Sequence, residues 1–389
     1  MEKFDPIPYR LQTIKSMIDN DVIDSMISSD EENNSSVKKE DIRELLPKKY
    51  IDFNKVVDKL GGRLLYIKSG STGHTFKGVH LEKTDRPNYA VKVVAYPKKE
   101  NYGDMYSVSR PENAELMVLK VLSKFVKKNQ SPHIVLPITT FYTSIKTFTC
   151  LDKDDIVNNK KYEQFIKRYK KGDYYPNVSI LISEWANAGD LLDYLKKNHD
   201  KFGLREWRVI IFQILSVLAI IQNKYPSFRH NDMKANNILL HKISKTPTEK
   251  SNKYRYKING QKYVVPNIGY QIKLWDFDFA CIPGYIDNTK VSAEWTDKIN
   301  IKPIKNRYYD IHYFFCTLVY KGFLPELMTN PNVPQEVIKF IEWIIPPKYR
   351  PDHPSGKVGK KCRLLVNEEL YKPVDILSHE FFEPFHTKK

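Results

Sequence analysis

No stretch of this 389-residue sequence is long and apolar enough to cross a bilayer. The longest apolar run, Val209 to Ile221, is interrupted by Gln213 and Ser216 and falls short of the ~18–20 residues a membrane helix needs. Glu2, Lys3 and Asp5 have no apolar segment behind them, so no signal peptide is expected. Cysteine is scarce. Cys150, Cys281, Cys316 and Cys362 are the only four, too scattered for a disulfide framework or a cysteine zinc site. A reducing compartment is expected, with these thiols as packing residues. No internal repeat is visible. Acidic excess is lacking too: 63 Lys and Arg exceed 46 Asp and Glu by 17. That balance favours phosphates, acidic protein segments or anionic surfaces as partners, with no specific nucleic acid expected. The remainder, 41% hydrophobic and 28% charged, suits a globular protein with room for two or three domains.

The order of patterns divides the chain. Residues 1–28 carry helical apolar spacing, and Ser28 to Lys39 reads SSDEENNSSVKK, a polar linker. Residues 1–45 are therefore expected to form an N-terminal appendage and linker. Strand-like runs follow at Arg63 to Ile67, Thr75 to Val79, Tyr89 to Val94, Ile134 to Phe141 and Val178 to Ser183, with helical spacing over Glu112 to Phe125. After Asp190 the pattern is helical, and the nearly all-apolar Leu204 to Ile221 suits a buried helix. Strands first and helices afterwards predict an α+β chain in two lobes: a small β-rich N-lobe, 46–184, and a larger helical C-lobe, 185–389. Two insertions interrupt them, 151–175 and 241–270. In the second, Asn259-Gly260 between alternating runs predicts a hairpin.

The chemistry-bearing segments follow this order. His230 to Asn237 reads HNDMKANN. In that spacing Asp232 can accept a substrate hydroxyl's proton, Lys234 can neutralise a transferring phosphoryl group, and Asn237 can give an oxygen to Mg2+. His230 would orient the loop through a backbone contact. Leu274 to Phe279 reads LWDFDF, an apolar run ending in an acid and an aromatic. Asp276 is the expected Mg2+ ligand, with Phe277 packed beneath it. In Ala90-Val91-Lys92 a lysine on a strand pointing inward needs a partner. Glu115 on the next helix can hold it, leaving Lys92 to grip α- and β-phosphates. Residues 68–73, KSGSTG, match G-x-G-x-x-G only at Gly70 and Gly73, which can bring backbone N–H groups to phosphate oxygens.

Together, over residues 60–386, these segments resemble the eukaryotic-type protein kinase superfamily. The closer likeness is to the poxvirus Ser/Thr kinases of virion morphogenesis and their relatives in other large DNA viruses. Ala114-Glu115, Asp276 to Phe279 (DFD where most kinases have DFG), the hairpin insertion and Tyr308 to Phe314 carry that likeness. The resemblance implies a bilobal protein-kinase fold and Ser/Thr phosphorylation, extending to Tyr, of viral proteins in the host cytoplasm or virion. It implies ATP and Mg2+ as cofactors. Ile180 to Ala186 resembles the hinge: backbone groups of Glu184 and Ala186 would bond adenine, Asp190 the ribose, with Ala90 beside the base and Ser183 at the gatekeeper position. Asp310 matches the aspartate that braces the catalytic loop.

The sequence also departs from the pattern. No A-P-E motif precedes Asp310, so Arg350 lacks its usual glutamate partner. Asn231 replaces the arginine that clamps an activation-loop phosphate, and Cys281 to Asn300 offers only Thr289, Ser292 and Thr296 as acceptors, so activity without phosphorylation of this segment is expected, with Arg229 nearby as the alternative clamp. A catalytically impaired scaffold is the second reading, from the incomplete glycine loop and DFD, and a small-molecule or lipid kinase the third. Finally, Lys160 to Lys171, KKYEQFIKRYKK, places Tyr162, Phe165, Ile166 and Tyr169 on one helical stripe. It reads either as a docking helix for an anionic membrane or acidic partner, or as a helix packed on its own lobe.

Overall fold

A computed structural model describes residues 6–18, 26, 41–69, 73–80, 87–151, 160–243, 253–320 and 322–387. The chain divides into two compact units. One comprises 7–123 and 135–185, and the other 1–6, 124–134 and 186–389.

The first unit is built on a five-stranded antiparallel sheet in the order β1-β2-β3-β5-β4. The strands are β1 Arg63–Ser69, β2 Gly73–Val79, β3 Tyr89–Pro97, β4 Pro137–Ser144 and β5 Tyr174–Glu184. β3 and β5, two of the three inner strands, bury Val91, Val93, Ile180 and Ile182. Helix α3, Pro111–Lys127, follows the sheet's third strand and buries Ala114, Met117, Val118 and Leu122. β4 begins three residues later than the apolar run suggested, because Ile134 instead bridges Leu274 in the other unit's backbone ladder and belongs to that unit.

Helix α1, Pro6–Ile18, is no loose appendage: Ile7, Ile14 and Ile18 are buried, and Arg10 is buried among polar partners. The polar linker expected at 28–39 lies outside the described residues. Helix α2, Phe53–Leu60, is N-capped by Asp52 and buries Phe53, Val56 and Leu60, with Phe53 edge-on to Phe148. Helix α4, Lys160–Lys170, forms where the stripe predicted it.

The second unit is mainly helical. α5 is Leu191–Asn198, α6 Leu204–Lys224, α7 Tyr309–Val319 and α8 Gln335–Ile344. α6 is buried along nearly its whole length, which explains why its sequence lacks a polar face. Two two-stranded ladders accompany these helices: β6 Ile238–Lys242 with β9 Tyr270–Leu274, and β7 Lys253–Ile258 with β8 Gln261–Pro266. Asn259 (φ 47°) and Gly260 (φ 83°) make the hairpin turn, the paired positive φ of a type I′ connection. The hairpin is built into the unit. Tyr256 stacks on His133, bonds its Nε2 and packs edge-on to Phe212. Among the described residues no helix is long and apolar enough to cross a membrane.

Candidate active site

In the second unit, the loop 230–237 is fixed from below by one buried carboxylate. Asp310, in the first turn of α7 and fully buried, accepts the backbone N–H of His230 (2.7 Å) and of Asn231 (2.8 Å) on its two oxygens. A loop turn that directs two successive N–H groups at one anion needs unusual backbone, and Asn231 has φ 63°. Asparagine tolerates this left-handed conformation better than most residues, so the residue that replaces arginine here suits the bend. His230 bonds the carbonyl of Trp275 (3.0 Å) and its ring lies 5.2 Å from that of Phe277, tying the loop to the LWDFDF segment.

Asp232 projects from this fixed loop, and its carboxylate is surrounded by donors. Asn237 Nδ2 donates to Asp232 Oδ2 and to its carbonyl, both at 2.9 Å. Lys234 Nζ lies 3.1 Å from Oδ2. Arg363 Nη2 donates to Oδ1 at 2.8 Å. Burial alone would raise the carboxyl's pKa, but Lys234 and then Arg363 outweigh it and hold the group below its ordinary value. An ionised carboxylate on a rigid loop can accept a hydroxyl proton as that oxygen attacks phosphorus.

The placement of the expected metal ligands follows from the β6–β9 pairing. Asn237 directly precedes Ile238, which pairs with Leu274, and Asp276 lies two residues beyond Leu274. Both residues therefore sit at the same end of the ladder. Asn237 uses its amide NH2 on Asp232, so its amide oxygen is the atom left for a cation. Among the described residues, no hydrogen bond or ion pair engages the half-buried Asp276 carboxylate. Its backbone is left-handed, with φ 63°, a conformation that aspartate, like asparagine, adopts more readily than most residues. An amide oxygen and a carboxylate suit Mg2+, which takes one or two protein oxygens and completes its shell with phosphates and water. Among the described residues no cluster of three or more His, Cys, Asp or Glu could hold a metal; a phosphate-completed site needs none.

The segment after Asp276 is held by bonds to neighbouring side chains. Phe277 is buried. Asp278 is ion-paired with Lys290, whose Nζ lies 4.0 Å from the Phe279 ring. Asn231 Nδ2 donates to the Phe279 carbonyl (2.9 Å), and Asn288 Nδ2 to those of Asp278 (3.0 Å) and Ala280 (3.1 Å). Arg229, the alternative phosphate clamp, is engaged elsewhere. It is fully buried over Tyr309, exchanges backbone bonds with Cys281, and donates to the carbonyls of Asn300 (2.8 Å) and Ile304 (3.2 Å). A guanidinium so enclosed holds the segment's backbone and has no reach to a phosphate. Arg350, without an A-P-E glutamate, lies 3.8 Å from Glu342 and bonds the Ile345 carbonyl (3.1 Å).

In the first unit, Lys92 of β3 is ion-paired with Glu115 of α3. The pairing meets the demand of an inward strand lysine. Ala90 is half-buried one side-chain pair along the same face of β3, and it pairs with Ser183. Gly70 lies outside the described residues. Gly73 opens β2 where a Cβ would fall 1.7 Å from the Val93 carbonyl oxygen, so a close backbone approach demands glycine there whatever it binds. At the end of β5, the Glu184 N–H donates to the Leu136 carbonyl (3.0 Å). Ala186, in the second unit, is buried, and Asp190 caps α5 through the Asp193 N–H (2.9 Å).

Sequence reasoning missed Arg363. It reaches Asp232 from 131 residues downstream, in a stretch, KKCRLL, that carries no motif. Arg10 was missed too, inside a segment read as an appendage.

A model of the protein kinase domain matches residues 66–295. The chain is 43% identical over 385 residues to a serine/threonine-protein kinase, so named, of Acanthamoeba polyphaga mimivirus, covering 98% of this chain and 80% of that protein. A second protein of that virus, also named as a serine/threonine-protein kinase, is 26% identical over 316 residues, 69% of this chain and 76% of its own length. A Dictyostelium discoideum protein named as a serine/threonine-protein kinase matches over 67 residues at 39% identity, 17% of this chain and 5% of that protein.

Proposed function

The chain belongs to the protein kinase family and is a serine/threonine-protein kinase; from that membership we propose that it takes the γ-phosphoryl group from Mg-ATP, with Asp232 as catalytic base. The observation that carries the assignment is the Asp232 carboxylate: held ionised by Lys234 and Arg363, positioned by Asn237, on a loop anchored by Asp310. Lys234 accompanies the phosphoryl group as charge develops on it. Asn237 and Asp276 would hold Mg2+, whose charge would offset that of the phosphates. Lys92, kept in place by Glu115, grips the nucleotide phosphates, with Gly70 and Gly73 in the loop beside them. The Glu184 carbonyl and the backbone of Ala186 bond adenine, since the Glu184 N–H is already engaged. Ala90 lines the base and Asp190 reaches the ribose.

Lys234 favours serine and threonine hydroxyls as acceptors, with tyrosine as the second acceptor to test. The likeness to mimivirus proteins supports viral proteins as substrates, in the host cytoplasm or virion. An acidic partner or anionic surface would meet the basic helix 160–171 through its lysines.

The test is phosphoryl transfer from labelled Mg-ATP to dephosphorylated casein or a basic protein. Asp232→Ala, Asp276→Asn and Lys92→Ala should each lower turnover by at least ~10²-fold, because positioning and charge neutralisation carry nearly all catalysis in phosphoryl transfer. Unchanged turnover in the Asp276 variant would remove the metal-ligand assignment.

A further inference from the structure

Arg363 stands on the catalytic carboxylate itself. Its Nη2 donates to Asp232 Oδ1 at 2.8 Å, while Nη1 bonds the carbonyl of Asn231, the residue just before the base. One planar guanidinium thus fixes both the side chain and the backbone of the same turn. The arginine is itself held: it is buried, its Cζ lies 3.7 Å from the Tyr313 ring centroid, and Nη1 is 3.4 Å from the Tyr309 hydroxyl.

The loop that delivers it is tightly built. Gly359 N–H bonds the Arg363 carbonyl (2.8 Å), Leu365 N–H that of Lys357 (2.8 Å), and Cys362 takes φ 60° between them. The loop is fastened to residues 300–307. Asn300 Nδ2 donates to the Leu364 carbonyl (2.9 Å), Asn306 Nδ2 to that of Glu368 (3.3 Å), and Arg307 forms a two-pronged pair with Glu369.

The donors on Asp232 can be counted. A carboxylate oxygen accepts about two hydrogen bonds. Oδ2 has two donors, from Asn237 and Lys234, and Oδ1 has one, from Arg363. A single acceptor position on Oδ1 remains. We propose that Arg363 is a positioning residue for the kinase reaction, which aims Asp232 so that its one remaining lone pair receives the substrate hydroxyl. The neighbouring position, 231, is an uncharged asparagine, and among the described residues Arg363 is the only guanidinium on the base. The loop 357–369 is then part of the catalytic apparatus. This assignment rests on the reading of Asp232 as the base.

Turnover with casein and labelled Mg-ATP should be measured for the full chain and for Arg363→Ala, Arg363→Lys and Asp232→Ala, with thermal melts alongside. Arg363→Ala should lower kcat roughly 10²-fold, the loss expected when a catalytic group is misplaced by about an ångström, while KM for ATP stays within about twofold. Millimolar guanidinium chloride should restore part of that loss in Arg363→Ala, and none in Asp232→Ala. Arg363→Lys, which keeps a charge but not the fork, should melt near the wild type and still turn over slowly. A wild-type or raised kcat in either Arg363 variant overturns the proposal, a raised one because the guanidinium would then be blocking the base. A loss in Arg363→Ala that guanidinium does not relieve overturns it in favour of a purely structural arginine. Activity in Asp232→Ala removes the base assignment and this inference with it.

Discussion

Arg10 of the N-terminal helix grips the carboxylate of Glu184 with two prongs, one of them Nε to Oε2 at 3.0 Å, at the last residue of the strand that leads out of the first unit's sheet. Glu184 also accepts the Leu136 N–H at 2.9 Å, so two segments remote in sequence meet on one side chain. Both partners are nearly enclosed, and removing one takes a charge partner from the other where solvent replaces it poorly. Arg10→Ala should therefore cost about 3 kcal/mol, at the low end for such pairs because the Leu136 bond remains. That corresponds to a melting point lower by roughly 6–12 °C. Since Glu184 is expected at the adenine edge, KM for ATP should rise as well. A melt and an ATP titration that both match the wild type would show the pair to be dispensable.

The segment after Asp276 should work unphosphorylated. Of its three candidate hydroxyls, Ser292 is exposed, Thr289 has its Oγ1 buried, and Thr296 is 1% exposed and bonds the carbonyls of Val291 (3.1 Å) and Ala293 (2.6 Å). Ser292→Ala, and phosphatase-treated protein, should keep turnover within about twofold of untreated enzyme. Thr296→Ala should instead destabilise by about 1–2 kcal/mol through its lost carbonyl bonds. A tenfold loss of activity in Ser292→Ala with an unchanged melt would restore the phosphate-clamp model.

Two buried histidines set an acid limit on stability. Burial pushes the pKa of His74 down to about 4 and that of His312 down to about 4. Unfolding returns each to the usual ~6.5. Between pH 6.5 and 4 the unfolded chain therefore binds more protons than the folded one. Stability present above pH 6.5 is lost as pH falls through this window, by about 3 kcal/mol per histidine at most. His312 Nε2 bonds the Tyr349 carbonyl (2.8 Å), a contact glutamine can imitate. In His312→Gln the melting point should fall less steeply with acidification than in the wild type, and parallel curves would count against this account.

Helix α4 turns its stripe inward. Phe165 lies 4.5 Å, edge-on, from His74 of β2 and 5.2 Å from Tyr174, and the Tyr162 hydroxyl bonds the Phe148 carbonyl. Phe165→Ala should lower stability by about 3–5 kcal/mol. The exposed Lys160, Lys161, Lys167, Lys170 and Lys171 are left to act by charge alone. Changing all five to Ser should leave the melt and peptide phosphorylation intact, and should abolish any salt-sensitive binding to anionic vesicles or acidic peptides. Binding that survives both the substitutions and high salt would refute the charge-only model.

The contacts of Asp232 with Lys234 and Asn237 could be read in advance because the three lie on one short stretch: their spacing along one loop is itself the geometry. The pair Lys92–Glu115 was legible for a different reason, since an inward strand lysine requires an acid and the next helix offered one. Arg363 and Arg10 were not legible. Each meets its carboxylate through tertiary contact alone, and nothing local distinguishes either from a solvated arginine. The α4 stripe shows the same limit on a smaller scale. Periodicity specified a helix with one apolar face, but the partner of that face, His74, belongs to a strand whose own pattern gives no hint of it. Asn231 read as a loss of charge; only the left-handed turn beneath it shows what asparagine contributes.

The hairpin β7–β8 has a consequence during synthesis. Tyr263 packs edge-on against His386, and the Thr387 N–H reaches the Lys262 carbonyl across 125 residues of sequence. Ribosomes add roughly 5–20 residues per second, so the hairpin waits about 6–25 s for these contacts to be made. Through that interval Tyr263 and Lys262 lack these partners, and alternating β-rich edges of this kind invite pairing with other chains. The span between translation of the hairpin and translation of residue 387 is thus one in which a chaperone holding the hairpin edge would limit aggregation of the nascent chain.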